Sequence, residues 1–116
     1  MWHFNRQLGK LISPTGEEFP AYSGHGVGVD NPLYQQVKDV GPIPAGLWDI
    51  GAPHQSAHGQ DTLTLTPHKE TNTYGRSGFL CHGDEIEHPG QHLASLGCVI
   101  TARAVRLQMS GVLQVI

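Results

Sequence analysis

The alternation of apolar and polar residues along the chain predicts a protein built mainly from β-strands. Between residues 2 and 8, Trp2, Phe4 and Leu8 occupy alternate positions, and only Arg6 interrupts the series. A period of two is typical of a strand with one face buried. We therefore expect a first strand over residues 2–8.

The clearest alternation lies in the middle of the chain. Threonine alternates with leucine within residues 61–66, and Pro67 cannot continue a ladder of backbone hydrogen bonds. The remaining patterns predict a turn at Thr15-Gly16 and strands over residues 45–50, 79–82 and 112–116. Residues 84–94 are polar and contain Pro89-Gly90, so we expect a loop there at the rim of a site.

One segment has the periodicity of a helix. Ala102, Val105 and Met109 fall on one face of a helix over residues 101–109, and Thr101 is a suitable N-cap. The patterns together predict a mainly β fold with one short helix late in the chain.

Composition agrees with a small β-domain that is rich in turns. The 116 residues suffice for one hydrophobic core, so we expect a single domain over residues 1–116. Fifteen glycines, eight prolines and a charged fraction of only 15% favour strands joined by turns over a helical bundle. The net charge of −3 and the lack of a basic patch with interspersed aromatic residues argue against nucleic acid as a partner.

A histidine and a cysteine, each beside small residues, are the main candidates for chemistry. His82 lies sixteen positions before Cys98. Cysteine attacks carbonyls as the thiolate, so a catalytic cysteine needs a nearby base that accepts its proton. Gly97 can adopt backbone angles that expose N–H groups as oxyanion donors. A buried structural cysteine and an ordinary polar histidine are the plainer interpretation of the same two residues.

The neighbours of this pair are candidates for supporting roles. Ser95 and Leu96 precede the Gly-Cys pair and are expected to shape the oxyanion turn. Gly83 and Asp84 follow the histidine, and the Asp84 carboxylate is expected either to orient His82 or to cap the loop.

Two glycine-containing segments upstream have different expected roles. Tyr22, Ser23 and Gly24 combine an aromatic ring, a hydroxyl and a glycine that can run close to a ligand, so we expect them to bind substrate. An ordinary glycine turn is the alternative. Residues 41–44, Gly-Pro-Ile-Pro, are assigned to structure because two prolines hold a chain extended.

The order and spacing of these segments resemble a known family. Residues 82–84 followed by 94–100 resemble the active-site signature of the YkuD-type L,D-transpeptidase catalytic domain. Residues 21–24, 31–32 and 41–50 are similar to segments of the L,D-transpeptidase-like effectors that bacteria deliver through type VI secretion. The resemblance extends from about residue 19 to residue 106 and implies an L,D-transpeptidase-like β-sandwich or barrel.

The resemblance also implies a reaction. Cys98 would attack the carbonyl of the third, diamino-acid residue in a peptidoglycan stem tetrapeptide, and His82 would pass the proton to the leaving D-alanine. N–H groups near Leu96, Gly97 and Cys98 would bind the oxyanion. Water would then release a tripeptide, as in an L,D-carboxypeptidase, and an amine would give exchange. No cofactor is required, and an immunity protein is a further partner left open.

Two departures from the cross-linking enzymes bear on the acceptor. Leu96 stands where those enzymes often have histidine, and residues 99–101 are Val-Ile-Thr where an asparagine or arginine is common. We therefore expect water or a small D-amino acid to resolve the thioester more readily than a second stem peptide.

The beginning of the sequence bears on delivery. Residues 1–6 lack a basic segment followed by an apolar run, and no stretch reaches the ~20 apolar residues of a membrane helix. We expect synthesis in the cytoplasm without a Sec signal, no membrane insertion, and action in the periplasm of a target or host bacterium. Delivery by a contractile secretion machine and release by a phage-type lysis programme both remain open.

Three alternatives to this reaction remain. Cysteine, histidine and aspartate side chains cluster closely enough in sequence for a zinc-dependent hydrolase, namely Cys81, His82, Asp84, His88, His92 and Cys98. Against a shared metal, adjacent side chains on a strand point to opposite faces, which separates Cys81 from His82. A Cys81–Cys98 disulfide and a noncatalytic wall-binding protein are the other two alternatives.

Overall fold

The computed structural model describes residues 1–84 and 94–116. The fold is mainly β, as the alternation predicts, and its strands form a nearly closed, barrel-like sheet with one short helix among the described residues. The strands in this part of the chain are β1 (Trp2–Asn5), β2 (Lys10–Ile12), β3 (Glu18–Pro20), β4 (Tyr22–Ser23), β5 (Gly46–Ile50), β6 (His54–Ser56), β7 (Gly59–Pro67), β8 (Leu80–His82), β9 (Val99–Ile100) and β10 (Gly111–Val115). The helix α1 spans Arg103–Arg106, and short 3₁₀ turns occur at Gly26–Gly28 and Pro32–Tyr34.

The strand order brings distant parts of the chain together. Hydrogen-bonded neighbours follow the order β3-β2-β1-β10-β5-β7-β8-β9-β4, and β6 pairs with β7 outside this series. Strands β8 and β9 are parallel, with Cys81 opposite Val99 and His82 opposite Ile100. Strand β4 pairs antiparallel with the other edge of β9.

This register explains how His82 and Cys98 approach each other. Successive side chains on a strand alternate between faces. Cys81 and Val99 are both fully buried in the core, so His82 and Cys98 lie on the opposite face of two adjacent strands.

The core packs against the face of β8 and β9 that carries Cys81 and Val99. Trp48 is completely buried and meets the Phe79 ring edge-on, with centroids 5.0 Å apart. The Trp48 Nε1–H donates to the Pro44 carbonyl at 3.2 Å, which anchors the extended Gly-Pro-Ile-Pro segment before β5. Ile43 in that segment is itself fully buried.

The threonine–leucine alternation describes the burial of β7 from Leu63 onward, whereas Thr62 is buried as well. Leu63 and Leu65 are buried, whereas Thr64 and Thr66 are exposed. Strands β5, β8 and β10 begin or end within one residue of their predicted bounds. The Thr15-Gly16 turn is also present, with the Gly16 N–H donating to the Ser13 carbonyl at 2.9 Å.

The predicted strand over residues 2–8 is too long. Strand β1 ends at Asn5, whose side-chain oxygen accepts a hydrogen bond from the Leu8 N–H and starts a turn. Arg6 is buried because its backbone N–H and its Nε both donate to the Ile116 carbonyl. Leu8 is 66% exposed, so the alternation of residues 2–8 does not describe one buried face.

The predicted helix over residues 101–109 is also too long. The Thr101 N–H donates to the carbonyl of His82 on β8, so Thr101 still hydrogen-bonds to the sheet. Its hydroxyl donates to the Pro20 carbonyl instead of capping a helix. The N-cap is Ala102, which is exposed and has no side-chain hydrogen bond. Val105 and Met109 do pack against the core as expected.

Only the ends of the predicted rim loop, Asp84 and Ala94, lie within the described residues; residues 85–93 do not. In the part of the chain that the structure covers, no helix is long and apolar enough to cross a membrane.

We predict that Leu63→Ala lowers the free energy of unfolding by about 2–5 kcal/mol, because it leaves a cavity in a fully buried position. The matched control is Leu107→Ala, at a leucine that is 54% exposed and should change stability by no more than about 0.5 kcal/mol. Urea unfolding of both variants measures the difference, and equal losses would contradict the position of the core.

Candidate active site

His82 and Cys98 line the same cavity, which has a volume of about 320 Å³. The other described lining residues come from four loops: Lys38, Asp39, His58, Gly75, Arg76, Ser77, Gly78, Phe79, Ala94, Leu96 and Gly97. The structure therefore brings together the two residues that the sequence nominates for chemistry.

The orientation of the His82 ring suits a general base. His82 is only 2% exposed, and its Nδ1 lies 2.9 Å from the Gly83 carbonyl oxygen. A carbonyl can only accept, so Nδ1 carries the proton and Nε2 carries the lone pair. Nε2 is buried and has no hydrogen-bond partner among the described residues. An imidazole nitrogen in this state can accept a proton from a nearby thiol.

The group that orients His82 is the Gly83 carbonyl and not the predicted Asp84 carboxylate. Asp84 instead accepts a hydrogen bond from the Tyr22 hydroxyl at 2.8 Å. That hydroxyl also accepts from the Ala94 N–H at 3.1 Å, so Tyr22 joins the two ends of the rim loop.

Burial keeps the His82 imidazole neutral. It lowers the pKa of His82 because the imidazolium is poorly solvated, while the Gly83 carbonyl opposes the shift. Positive charge on His58 or Arg106 lowers the pKa of His82 further, and Asp84 raises it.

Burial has the corresponding effect on the thiol. It raises the pKa of Cys98, while the Leu80 N–H and the Arg76 guanidinium lower it by favouring the thiolate. Both members of the pair are therefore uncharged at rest. Such a pair reacts by transferring the thiol proton to the imidazole as the sulfur attacks.

The Ser95 hydroxyl organises the turn that carries Cys98. Ser95 is fully buried, and its Oγ donates to the Cys98 carbonyl at 2.6 Å. The same oxygen accepts from the Gly97 N–H and from the Gly24 N–H, both at 3.0 Å. Through these three hydrogen bonds Ser95 would take the orienting role that the sequence predicts for it.

Gly97 is needed in this turn for two reasons. Its φ of +137° is a conformation that residues with a side chain rarely adopt. A Cβ at this position would also lie 2.5 Å from Nη2 of Arg76. The Gly97 N–H donates to Ser95 within the turn, so its expected use as an oxyanion donor competes with this hydrogen bond.

The segment that carries Cys98 is hydrogen-bonded to the three residues expected to bind substrate, Tyr22, Ser23 and Gly24. Ser23 is fully buried and donates to the Gly97 carbonyl at 2.9 Å, while it accepts from the Ile43 N–H at 2.8 Å. Strand β4 therefore includes two residues that the sequence analysis placed in a loop. Direct contact of these three residues with a ligand stays a prediction.

Sequence reasoning missed Arg76. Its guanidinium is 8% exposed and donates to the carbonyls of Gln35, Pro42, Gly41 and Leu96. It also lies over the Phe79 ring, 5.1 Å from the centroid. These contacts tie the Cys98 turn to the Gly-Pro-Ile-Pro segment. A single arginine between glycines gave no signal of this role.

His58 is a second residue that the sequence analysis missed. Its ring stacks on that of His82, with centroids 4.3 Å apart and planes at 16°. It comes from the turn between β6 and β7, and nothing in its spacing from His82 indicated the contact.

Cys81 lies in the core and does not line the cavity, as expected for a buried neighbour. It is completely buried, and burial raises the pKa of Cys81 to about 12. Both cysteines are free thiols, so the Cys81–Cys98 disulfide does not form in this structure. Within residues 1–84 and 94–116, no three histidine, cysteine, aspartate or glutamate side chains are grouped closely enough to hold a metal ion. His88 and His92 of the zinc alternative lie outside the described residues.

A larger cavity of about 670 Å³ lies beside this site. Tyr22, Gly83 and Asp84 line it, together with Arg103 and Arg106. Its described lining includes neither Cys98 nor His82, so the smaller cavity is the better candidate for an active site.

We predict that Ser95→Ala lowers the free energy of unfolding by about 1–3 kcal/mol, because it leaves the buried N–H groups of Gly24 and Gly97 without their acceptor. Ser110→Ala, at an exposed serine, is the matched control. Amide hydrogen exchange should accelerate at Gly24 and Gly97 only in the first variant. Unchanged exchange at both amides would contradict the role given to Ser95.

Comparison with known proteins identifies the family of this chain. The model of the Tlde1 domain family matches residues 17–112, a range that contains His82, Cys98 and the strands that carry them. No curated protein matches the chain. Because the matched range covers most of the 116 residues, the chain belongs to the Tlde1 domain family, a family of type VI secretion effectors.

Proposed function

We propose that this protein is a peptidoglycan-modifying cysteine enzyme that removes or exchanges the terminal D-alanine of stem tetrapeptides. The observation that carries the proposal is the unpartnered Nε2 of His82 in the same cavity as the Cys98 thiol. The signature around these residues resembles that of L,D-transpeptidases. Membership of an effector family supports action on another bacterium's cell wall.

The first step forms a thioester. His82 Nε2 accepts the thiol proton as Cys98 Sγ bonds to the carbonyl carbon of the diamino-acid residue. The carbonyl π electrons move to the oxygen, and we assign the N–H groups of Leu96 and Cys98 to this oxyanion. When the tetrahedral intermediate collapses, its C–N bond breaks and the imidazolium protonates the departing D-alanine amine.

The second step restores the enzyme. Water or the amine of a free D-amino acid attacks the thioester carbonyl and gives its proton to His82 Nε2. The C–S bond then breaks, and the imidazolium returns the proton to the Cys98 sulfur. Water yields a tripeptide and an amine yields an exchanged tetrapeptide. No cofactor takes part in either step.

One apolar position in the cavity lining supports a small acceptor. Leu96, which stands where the cross-linking enzymes often have histidine, is 54% exposed where it lines the cavity. Its side chain offers a second stem peptide no hydrogen bond at that point. Either product depletes the tetrapeptide donors of a growing wall, which is the basis proposed here for antibacterial action in the periplasm of a target cell.

We predict that Cys98→Ala abolishes the conversion of tetrapeptide stems, whereas Cys81→Ala retains most of it. The first variant removes the nucleophile, and the second changes a core thiol outside the cavity. Mass spectrometry of purified muropeptides after incubation, with and without excess D-methionine, measures both outcomes. The active proteins should give tripeptides and D-methionine-terminated tetrapeptides. Conversion by Cys98→Ala would disprove the nucleophile, and abundant 3–3 cross-linked dimers would disprove the acceptor preference.

A further inference from the structure

His58 is placed where it can control the His82 ring. Its own ring is exposed to the cavity that Cys98 lines, and it lies parallel to the imidazole of His82 at a centroid distance of 4.3 Å. Nothing in the reaction proposed above uses it.

The turn that carries His58 is held by a chain of hydroxyl groups. The His58 N–H donates to Ser56 Oγ at 3.0 Å, and Ser56 Oγ lies 2.8 Å from Thr62 Oγ1. Thr62 is fully buried and also donates to the Gly59 carbonyl at 3.2 Å. The position of His58 is therefore fixed through β7, the strand that pairs with β8 and so with His82.

The His82 ring needs such a contact. One hydrogen bond, from Nδ1 to the Gly83 carbonyl, is its polar restraint among the described residues. A single bond at one edge lets a ring tilt about that bond, whereas a parallel ring against its face sets the plane. Reacting groups must be held close to their productive geometry, and a displacement of 1 Å can cost about 100-fold in rate.

We propose that His58 is a positioning residue, which holds the plane of the His82 ring so that Nε2 points into the cavity. This inference rests on the proposed role of His82 as the base.

The contact also has an electrostatic consequence, which depends on the groups around His82. His58 faces His82 from the turn between β6 and β7 and Arg106 faces it from α1, while Asp84 follows β8 and Cys98 lines the same cavity just before β9. A proton on His58 would place a like charge against His82, which lowers the pKa of His82. Since the base must be neutral, His58 extends activity toward lower pH.

Two substitutions separate the ring contact from the charge. His58→Phe keeps a flat ring and removes the charge, so the pKa of His82 should rise and the acid limb of kcat/KM should move to higher pH, with the plateau within about threefold of the original. His58→Ala removes both and should lower the plateau by about tenfold or more. His54→Ala, at an exposed histidine on β6 outside the cavity lining, is the control and should resemble the unmodified protein.

Nuclear magnetic resonance titration of the His82 imidazole gives a readout that does not depend on the substrate. The midpoint should shift upward in His58→Phe and stay in place in His54→Ala. An unchanged midpoint together with an unchanged plateau in His58→Ala would overturn the inference. Failure of the proposed function would give a different result. The unmodified protein would then leave muropeptides intact, while the His82 midpoint would still shift in His58→Phe.

Discussion

One buried hydroxyl holds the turn that carries Cys98 in place. A serine hydroxyl has one proton to donate and two lone pairs to accept with. At Ser95 all three are used, by the Cys98 carbonyl and by the N–H groups of Gly97 and Gly24. The residue before β9, the loop after β4 and the turn over residues 95–98 therefore meet at one atom, and the position of Cys98 in the cavity depends on this turn.

The electrostatics of the site follow from where that closed turn lies. Its burial disfavours charge on both Cys98 and His82, which leaves a neutral thiol beside a neutral imidazole. Arg76 moderates the effect because it brings a positive charge near the sulfur while carbonyl oxygens satisfy its donors. In the reaction proposed above, such a pair transfers the thiol proton to the imidazole as the sulfur attacks a bound carbonyl.

The sequence predicted the features that depend on local pattern. The period of two located most of the core strands, and the short signatures around His82 and Cys98 identified the pair that shares the cavity. The residues that the sequence did not reveal owe their positions to tertiary contacts. Arg6 looked like a polar interruption in a strand, but it is buried by contacts with the carbonyl of the last residue. Arg76 reaches the site from the loop before β8 and His58 from the turn between β6 and β7, and neither has a spacing that would mark it.

The most direct test of the central claim is to trap the thioester. The protein is incubated with a stem tetrapeptide, quenched in acid within the first turnover, and weighed intact by mass spectrometry. The account predicts a mass gain equal to the tripeptide acyl group, located by peptide mapping on Cys98, and no gain in the Cys98→Ala protein. An adduct on another residue, or release of D-alanine during the first turnover with no adduct at all, would contradict it.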